Sequence, residues 1–321
     1  MHSNDRVLVT GSTGLVGYNL LRTLKEQGMT QLFATVHSKL PKRQCLEEVM
    51  YIPADLTERV QCDVVVKDMD YIFHCAANTS GASVMNATPL VHVTPNILMN
   101  LHLFEAAYES DVKKIAWLSS GSVYPSVNGI AKEEDAFSAP PFSKYFAVAH
   151  MKRYTEVLAE LFSFYLPKKL PIVVVRPTNI YGPYDKFDPE KSHVTAALIR
   201  KVIKRYDPLE VWGTGTEVRD LIYIDDFIEG LLLAFETLDT YDPINIGSGI
   251  LYTVQDILTT LLQLENFTPQ IVYNTNKPTT IDKMSIDVTK AADLLGFNAE
   301  TTLEMGLQKT LSWFRENESW L

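Results

Sequence analysis

RVLVTGSTGLVGYNLLRTLKEQG, residues 6–28, decides the fold. An aliphatic strand candidate, Val7 to Thr10, runs straight into Gly11-Ser12-Thr13-Gly14-Leu15-Val16-Gly17, and helix-like apolar spacing follows from Gly14 to Gln27. A strand that turns on glycines into a helix lets a pyrophosphate approach backbone N–H groups at the positive end of the helix dipole. Glycines alone would describe an ordinary strand-to-helix turn, so the weight comes from what surrounds them.

Further strand candidates follow at 31–36, 70–77, 114–120 and 171–177, separated by helical spacing at 96–110 and by one long helix at 143–165 that Pro167 ends. That alternation predicts an α/β fold, a doubly wound parallel sheet with helices on both faces. After Pro177 the chain loosens into loops with helical runs near 193–205, 225–238, 253–265 and 288–296. We therefore expect a dinucleotide-binding domain over 1–177 and a smaller C-terminal substrate-binding region over 178–321, interleaved with the core. The 321 residues are 46% hydrophobic, enough for a packed core, and carry 29 basic against 39 acidic side chains, net −10. That charge argues against binding to nucleic acid or anionic membranes, so an anionic ligand must be captured locally. Three cysteines without metal-type spacing, a start lacking signal-peptide character and no apolar run of membrane length give the expectation of a cytoplasmic protein with no metal.

The second strand ends in Val36-His37-Ser38-Lys39, with no acid to accept a ribose 2′-hydroxyl, and Lys39, Lys42 and Arg43 lie close by. This favours NADP and leaves NAD open, the alternative being a solvated basic loop. Asp55-Leu56 has the position and type to reach an adenine edge, or Asp55 simply caps a turn.

GSTGLVG, HCAAN (74–78), SSGSVYP (119–125), RPTNIYGP (176–183) and VWGTGTEVRDLIYIDD (211–226) together resemble the extended short-chain dehydrogenases that act on nucleotide sugars. YGPYDKFDPEKSHVTAALIRK, VWGTGTEVRD and KPTTIDKMSIDVTK resemble, more narrowly, the GDP-L-fucose synthase family, reductase-epimerases of GDP-4-keto-6-deoxymannose. The resemblance implies a Rossmann sheet, a homodimer paired through the helices near 96–110 and 143–165, and a GDP-linked sugar as substrate. It implies cofactor contacts from Gly11 to Gly17, at Ala76, Ala77, His150, Pro177, Asn179 and Ile180. It also implies sugar-nucleotide contacts at Ser120, Tyr124, Asn179, His193, Trp212, Arg219 and Lys283. Ser120 and Ser122 match small polar groups near the sugar, and His193 matches the catalytic acid; Lys201 stands where the family has an arginine.

The residues support several of these roles directly. Arg219 can fork onto a diphosphate or make a surface ion pair. His193 can exchange a proton near neutrality, cap a helix or sit in solvent. Trp212 can stack on a base or fill core.

One segment departs from the pattern. The family's catalytic Tyr and Lys, four apart in YAVAK, are Phe146 and His150 here, in Phe146-Ala147-Val148-Ala149-His150. Phe146 has no hydroxyl to move a proton, and His150 is a weak substitute for an ammonium. Tyr145 is turned away from Phe146, and Lys152, six residues beyond it, belongs to another helix face. Three readings stay open: an enzyme whose proton transfer has moved to His150, His193 or a Ser120/Tyr124 relay; a catalytically inactive binding protein; and an engineered inactive variant of an ordinary reductase.

Overall fold

The structure is a computed structural model that describes all residues except 38–43, 80–87, 89, 127, 128, 190, 278, 280–282, 284 and 321. Seven strands, β1 (Val7–Thr10), β2 (Leu32–Val36), β3 (Val49–Pro53), β4 (Tyr71–His74), β5 (Lys114–Leu118), β6 (Ile172–Pro177) and β10 (Ile244–Ile246), form the main sheet. Their order is β10-β6-β5-β4-β1-β2-β3 and every pairing is parallel. The order in which successive strands are added reverses at β1, between β4 and β2, and ligands of such sheets bind beyond the carboxyl ends at that switch point. Thr10 lies level with His74, and His74 with Trp117, so β1, β4 and β5 end on one edge.

Alternate residues feed two cores, as the two-residue period of a strand requires. Val7, Val9, Ala34, Phe73, Ala116 and Val173 join one that includes α1 (Leu15–Glu26), α6 (Ile224–Thr237) and the C-terminal helices. Leu8, Phe33, Ile72, Ile115, Trp117 and Val174 join the other, under α2 (Arg59–Val66), α3 (Leu90–Glu109) and α4 (Phe146–Glu160). The sheet and both helical layers thus match the expected doubly wound architecture. Neither β3 nor β10 was anticipated: β3 is only partly buried, and β10 is short. Since β10 returns from residue 244 to the sheet edge, the parts before and after Pro177 share one core.

Two helices differ from expectation. The long helix of 143–165 is a 3-10 turn at Ser143–Tyr145, then α4, then a π turn at Leu161–Tyr165 where the Ser163 hydroxyl donates to Leu170 O and accepts from Ile172 N. The helix expected from Asn96 begins at Leu90 and runs through Pro95. Proline cannot donate to the carbonyl four residues back. Asn78 Nδ2 donates to that carbonyl, Val91 O, at 3.0 Å instead, which pins the segment after β4 to α3.

The remaining elements surround the carboxyl edge: β7 (Asn179–Tyr181), α5 (Val194–Ile203), β8 (Leu209–Trp212), β9 (Val218–Tyr223), β11 (Leu251–Thr253), α7 (Val254–Leu264), β12 (Ile271–Asn274), α8 (Thr289–Leu295) and α9 (Leu303–Asn317). Two small sheets, β11-β9-β7 and β12-β8, organise them.

Candidate dinucleotide and sugar-nucleotide site

The glycine turn is closed by its own packing. Gly11 has φ +67°, and a Cβ there would lie 2.7 Å from Ala76 Cα; a Cβ on Gly17 would lie 2.3 Å from Gly11 O. The turn therefore presses against the exit of β4 with no space for side chains at these two positions. Ser12 Oγ donates to Thr35 O (2.8 Å) and Gln44 Nε2 to Thr13 O (3.1 Å), which hold the turn from the β2 side. Helix α1 begins at Gly14 without a side-chain cap and without an acid in its first turn. Its leading N–H groups are thus left to an anion, and Leu15 and Val16 pack back onto the core. This backbone cradle fits the pyrophosphate of a dinucleotide.

A buried relay ties the cradle to the helices behind it. Ala76 N donates to Thr10 Oγ1, whose hydroxyl meets His74 Nδ1 at 2.7 Å, and His74 Nε2 meets Asn100 Oδ1 at 2.9 Å. Because Asn100 Oδ1 can only accept and also takes Trp117 Nε1–H, His74 carries its proton on Nε2. Burial holds His74 neutral, with its pKa down to about 3. Asn100 Nδ2 continues to Thr155 Oγ1 on α4.

Beyond β2 and β3, Asp55 Oδ1 accepts from Thr57 N and Thr57 Oγ1, and Oδ2 stands 3.7 Å from His37 Nε2. The Thr57 bonds and, more weakly, His37 hold its carboxyl below the usual range. Asp55 therefore both caps its turn and reaches the end of β2, while the buried Leu56 offers only backbone. Lys39, Lys42 and Arg43 lie outside the described residues.

After β5 the side chains are committed elsewhere than expected. Tyr124 is 3% exposed, its hydroxyl donating to Asn245 Oδ1 (2.5 Å) and accepting from Arg176 Nη1 (3.0 Å). The expectation that Tyr124 contacts the sugar or relays a proton is corrected: it belongs to a buried network in which Arg176 pairs with Glu156 at 2.6 Å and Ser119 Oγ donates to Glu156 Oε1. Ser120 caps the 3-10 turn 121–123 by accepting from Ser122 N, and Ser122 Oγ is buried without a hydrogen-bond partner among the described residues. Arg153 on α4 clamps this loop through Val123 O and Ala139 O.

On α4 itself, Phe146 is 65% exposed and stacks edge-on against the exposed His150, ring centres 4.7 Å apart. Lys152, which the motif spacing passes over, faces the sheet: Nζ donates to Leu118 O at 2.6 Å and sits 4.6 Å from the centre of the Trp117 ring. Only its burial among α4, β4 and β5 identifies it, and spacing gives no sign of that.

The loop after β7 turns at Gly182 and is gripped by aromatic contacts, Tyr184 lying 3.8 Å from Tyr18 of α1 and 4.7 Å from Trp313 of α9 between ring centres. Asp185 in this loop is desolvated, which raises its pKa to about 7. Lys186 donates to Thr79 O (2.7 Å) just beyond β4. His193 stands at the start of α5 but its side chain makes no capping bond, which removes that reading of it. His193 is exposed, and desolvation, then Lys186 and His92, push its pKa down. Asn179 Nδ2 donates to Asp220 O. Trp212 is 37% exposed, with Lys277 Nζ 5.2 Å from its ring centre, so it is not core filling. Arg219 is buried and donates through Nη1 to Val218 O, and Lys283 is bridged to Val218. Lys201 donates to Glu210 O, away from His193's own helix start.

The sequence profile of the NAD dependent epimerase/dehydratase family matches residues 7–247, from β1 to the turn after β10. The chain belongs to that family. Among its relatives, Putative GDP-L-fucose synthase 2 of Arabidopsis thaliana is 27% identical over 99% of this chain and 94% of its own length. GDP-L-fucose synthase of Escherichia coli K12 is 28% identical over 98% of both. A solved UDP-glucose 4-epimerase of Thermotoga maritima, in complex with UDP-glucose, superposes with TM-score 0.87 at 26% identity, covering 98% of this chain and 99% of that one. Among the described residues of this epimerase/dehydratase family member, no helix is long and apolar enough to cross a membrane and no His, Cys, Asp and Glu group could hold a metal ion.

Proposed function

We propose that the protein binds NADP, with NAD as the alternative, together with a GDP-linked 4-keto sugar, and epimerises or reduces that sugar without a tyrosine at position 146. The observation that carries the reading is the cradle: Gly11 and Gly17 packed shut against Ala76 and Gly11 O, below an uncapped α1. Bound there, a nicotinamide dinucleotide supplies hydride exchange. Gly11 to Gly17, Ala76 and Ala77 hold its phosphates, Asp55 the adenosine side, and Pro177, Asn179 and Ile180 border its other half. His193, free of any capping duty and held toward its neutral form, takes or gives the proton at the sugar, with Ser120 and Ser122 beside it. Trp212, Arg219 and Lys283 hold the nucleotide of the sugar. The cytoplasm is the proposed compartment. A homodimer would use the exposed Tyr154, Val157, Leu161 and Phe164 stripe on α4 and its π turn.

A second reading, a binding protein without turnover, is favoured by Phe146, whose exposed ring cannot exchange a proton. One sample separates the two. NADP⁺ and NAD⁺ are titrated by calorimetry, then GDP-4-keto-6-deoxymannose is added with NADPH and the products are resolved by mass and stereochemistry. Product supports the enzyme, tight binding of both ligands with no product supports the binding protein, and failure to bind either dinucleotide sinks both.

A further inference from the structure

The segment that leaves β4 at its carboxyl end is laced onto the first turns of α3. Asn96 Oδ1 accepts from Asn78 N at 2.8 Å, Asn96 Nδ2 donates to Asn78 O at 3.0 Å, and Asn78 Nδ2 reaches Val91 O. His92, one helical turn before Asn96, joins them through Nδ1, 3.0 Å from Asn78 O. A carbonyl only accepts, so Nδ1 carries the proton of the neutral ring and Nε2 keeps a bare lone pair. His92 is 3% exposed, and its Nε2 is buried with no hydrogen-bond partner among the described residues.

Buried polar atoms are nearly always paired, because an unmade hydrogen bond leaves the cost of desolvation uncompensated. The surroundings of His92 narrow what can donate to it. Thr79, next to Asn78, accepts from Lys186 Nζ through O at 2.7 Å and through Oγ1 at 3.2 Å, which brings the loop after β7 against the exit of β4. That loop leads to His193, whose proton affinity is lowered by desolvation first, then by Lys186 and by His92. The unpaired nitrogen thus belongs beside the group to which proton exchange at the sugar is assigned, away from Asp55 and the adenosine side. A lone pair there discriminates between sugar oxygens: a hydroxyl donates to it, whereas a keto oxygen has no hydrogen to give.

We infer that His92 is a specificity-determining residue whose Nε2 accepts a hydrogen bond from a hydroxyl of the hexose carried on the nucleoside diphosphate, leaving the carbonyl of that sugar to His193. This rests on the sugar-nucleotide reading above. His92 gives no proton to the reaction, since its Nδ1–H stays on Asn78 O. The lacing of Asn78 to Asn96 fixes the ring before any ligand arrives. A buried acceptor built to meet a hydroxyl turns away a sugar that lacks it more strongly than an apolar wall does.

The test uses the full chain and two nucleotide sugars, GDP-mannose and UDP-glucose, each titrated by calorimetry beside its own diphosphate, which lacks the hexose. His92→Phe keeps a planar ring and leaves Asn78 O its bond from Asn96. For it we expect about ten-fold weaker binding of the nucleotide sugar that the parent prefers, diphosphate affinity within about two-fold of the parent, and a Tm within a few degrees of the parent's. Nitrogen NMR of the histidine rings reads the contact directly at about pH 8, above the ordinary histidine range. The His92 signals, identified by their loss in His92→Gln, should show the Nδ1–H tautomer, and Nε2 should move upfield with the nucleotide sugar but not with the diphosphate. Unchanged sugar binding in His92→Phe, an equal loss for the diphosphate, or an Nε2–H tautomer each overturns the inference. So does an Nε2 signal that ignores the sugar, which would mean that the nitrogen holds only water. Should His92→Phe fail to fold, the NMR of the parent decides. If the parent binds neither nucleotide sugar nor either diphosphate, the sugar-nucleotide reading falls and this inference with it; if it binds them and residue 92 makes no difference, only this inference does.

Discussion

The carboxyl edge of the sheet is built by two different means. Around β1 and β4 the work falls to backbone: a glycine turn without room for side chains, an uncapped helix, and a neutral histidine relay behind them. Around β5, β6 and the 182–193 loop it falls to side chains whose charges are buried or displaced, Glu156 with Arg176, Lys152 on Trp117, and Asp185 near neutrality. The first means depends on residue types that have few substitutes. The second depends on which way each side chain faces, and the same letters can face either way.

The sharpest way to break this comparison is Gly17→Val. A side chain there begins 2.3 Å from Gly11 O, a backbone atom, so dinucleotide binding should fall beyond detection by calorimetry and stability by about 3 kcal/mol in a urea melt. Ordinary binding in that variant would show that the turn is not a tight cradle. Glu156→Gln should do the opposite, leaving Arg176 charged and unpaired at a cost of roughly 3–5 kcal/mol while ADP affinity is retained.

Acid titration sharpens the contrast within the relay. The pKa of His74 lies below its unpaired value of 6.5, at about 3, so the unfolded chain binds more protons between those values. Its contribution is complete above pH 6.5 and is lost as pH falls toward 3, amounting to no more than about 5 kcal/mol. Urea melts across that window should show a shallower loss for His74→Asn than for the parent; parallel curves would mean that His74 is protonated in the fold. The smallest effect belongs to Tyr124→Phe, which removes a buried hydroxyl shared by Asn245 and Arg176 and should cost about 1–2 kcal/mol with no change in ligand affinity. A selective loss of sugar-nucleotide binding there would return Tyr124 to the site.

What was legible in the chain follows the same division. The glycine turn, five strands and the helices that follow them could be placed from period and punctuation because each obeys a local rule. β3 and β10 escaped, being too short or too exposed to alternate clearly. The start of α3 escaped because Pro95 reads as a stop, and only the structure shows Asn78 taking the carbonyl that proline leaves. Matching Phe146 and His150 to the family's pair identifies a lost hydroxyl but not an orientation; that both rings face outward while Lys152 faces β5 is a property of how α4 docks. Tyr124 was misplaced for a related reason, since its partners Arg176 and Asn245 come from strands distant in sequence.

The aromatic grip on the 182–188 loop has a consequence for synthesis. Tyr184 is held between Tyr18, made early, and Trp313, which leaves the ribosome after every residue of the loop it supports. Gly306 on the same late helix packs so closely on Tyr181 that a Cβ would lie 2.0 Å from its hydroxyl oxygen. The wall bearing Asp185 and Lys186 therefore lacks its last support until α9 has been made.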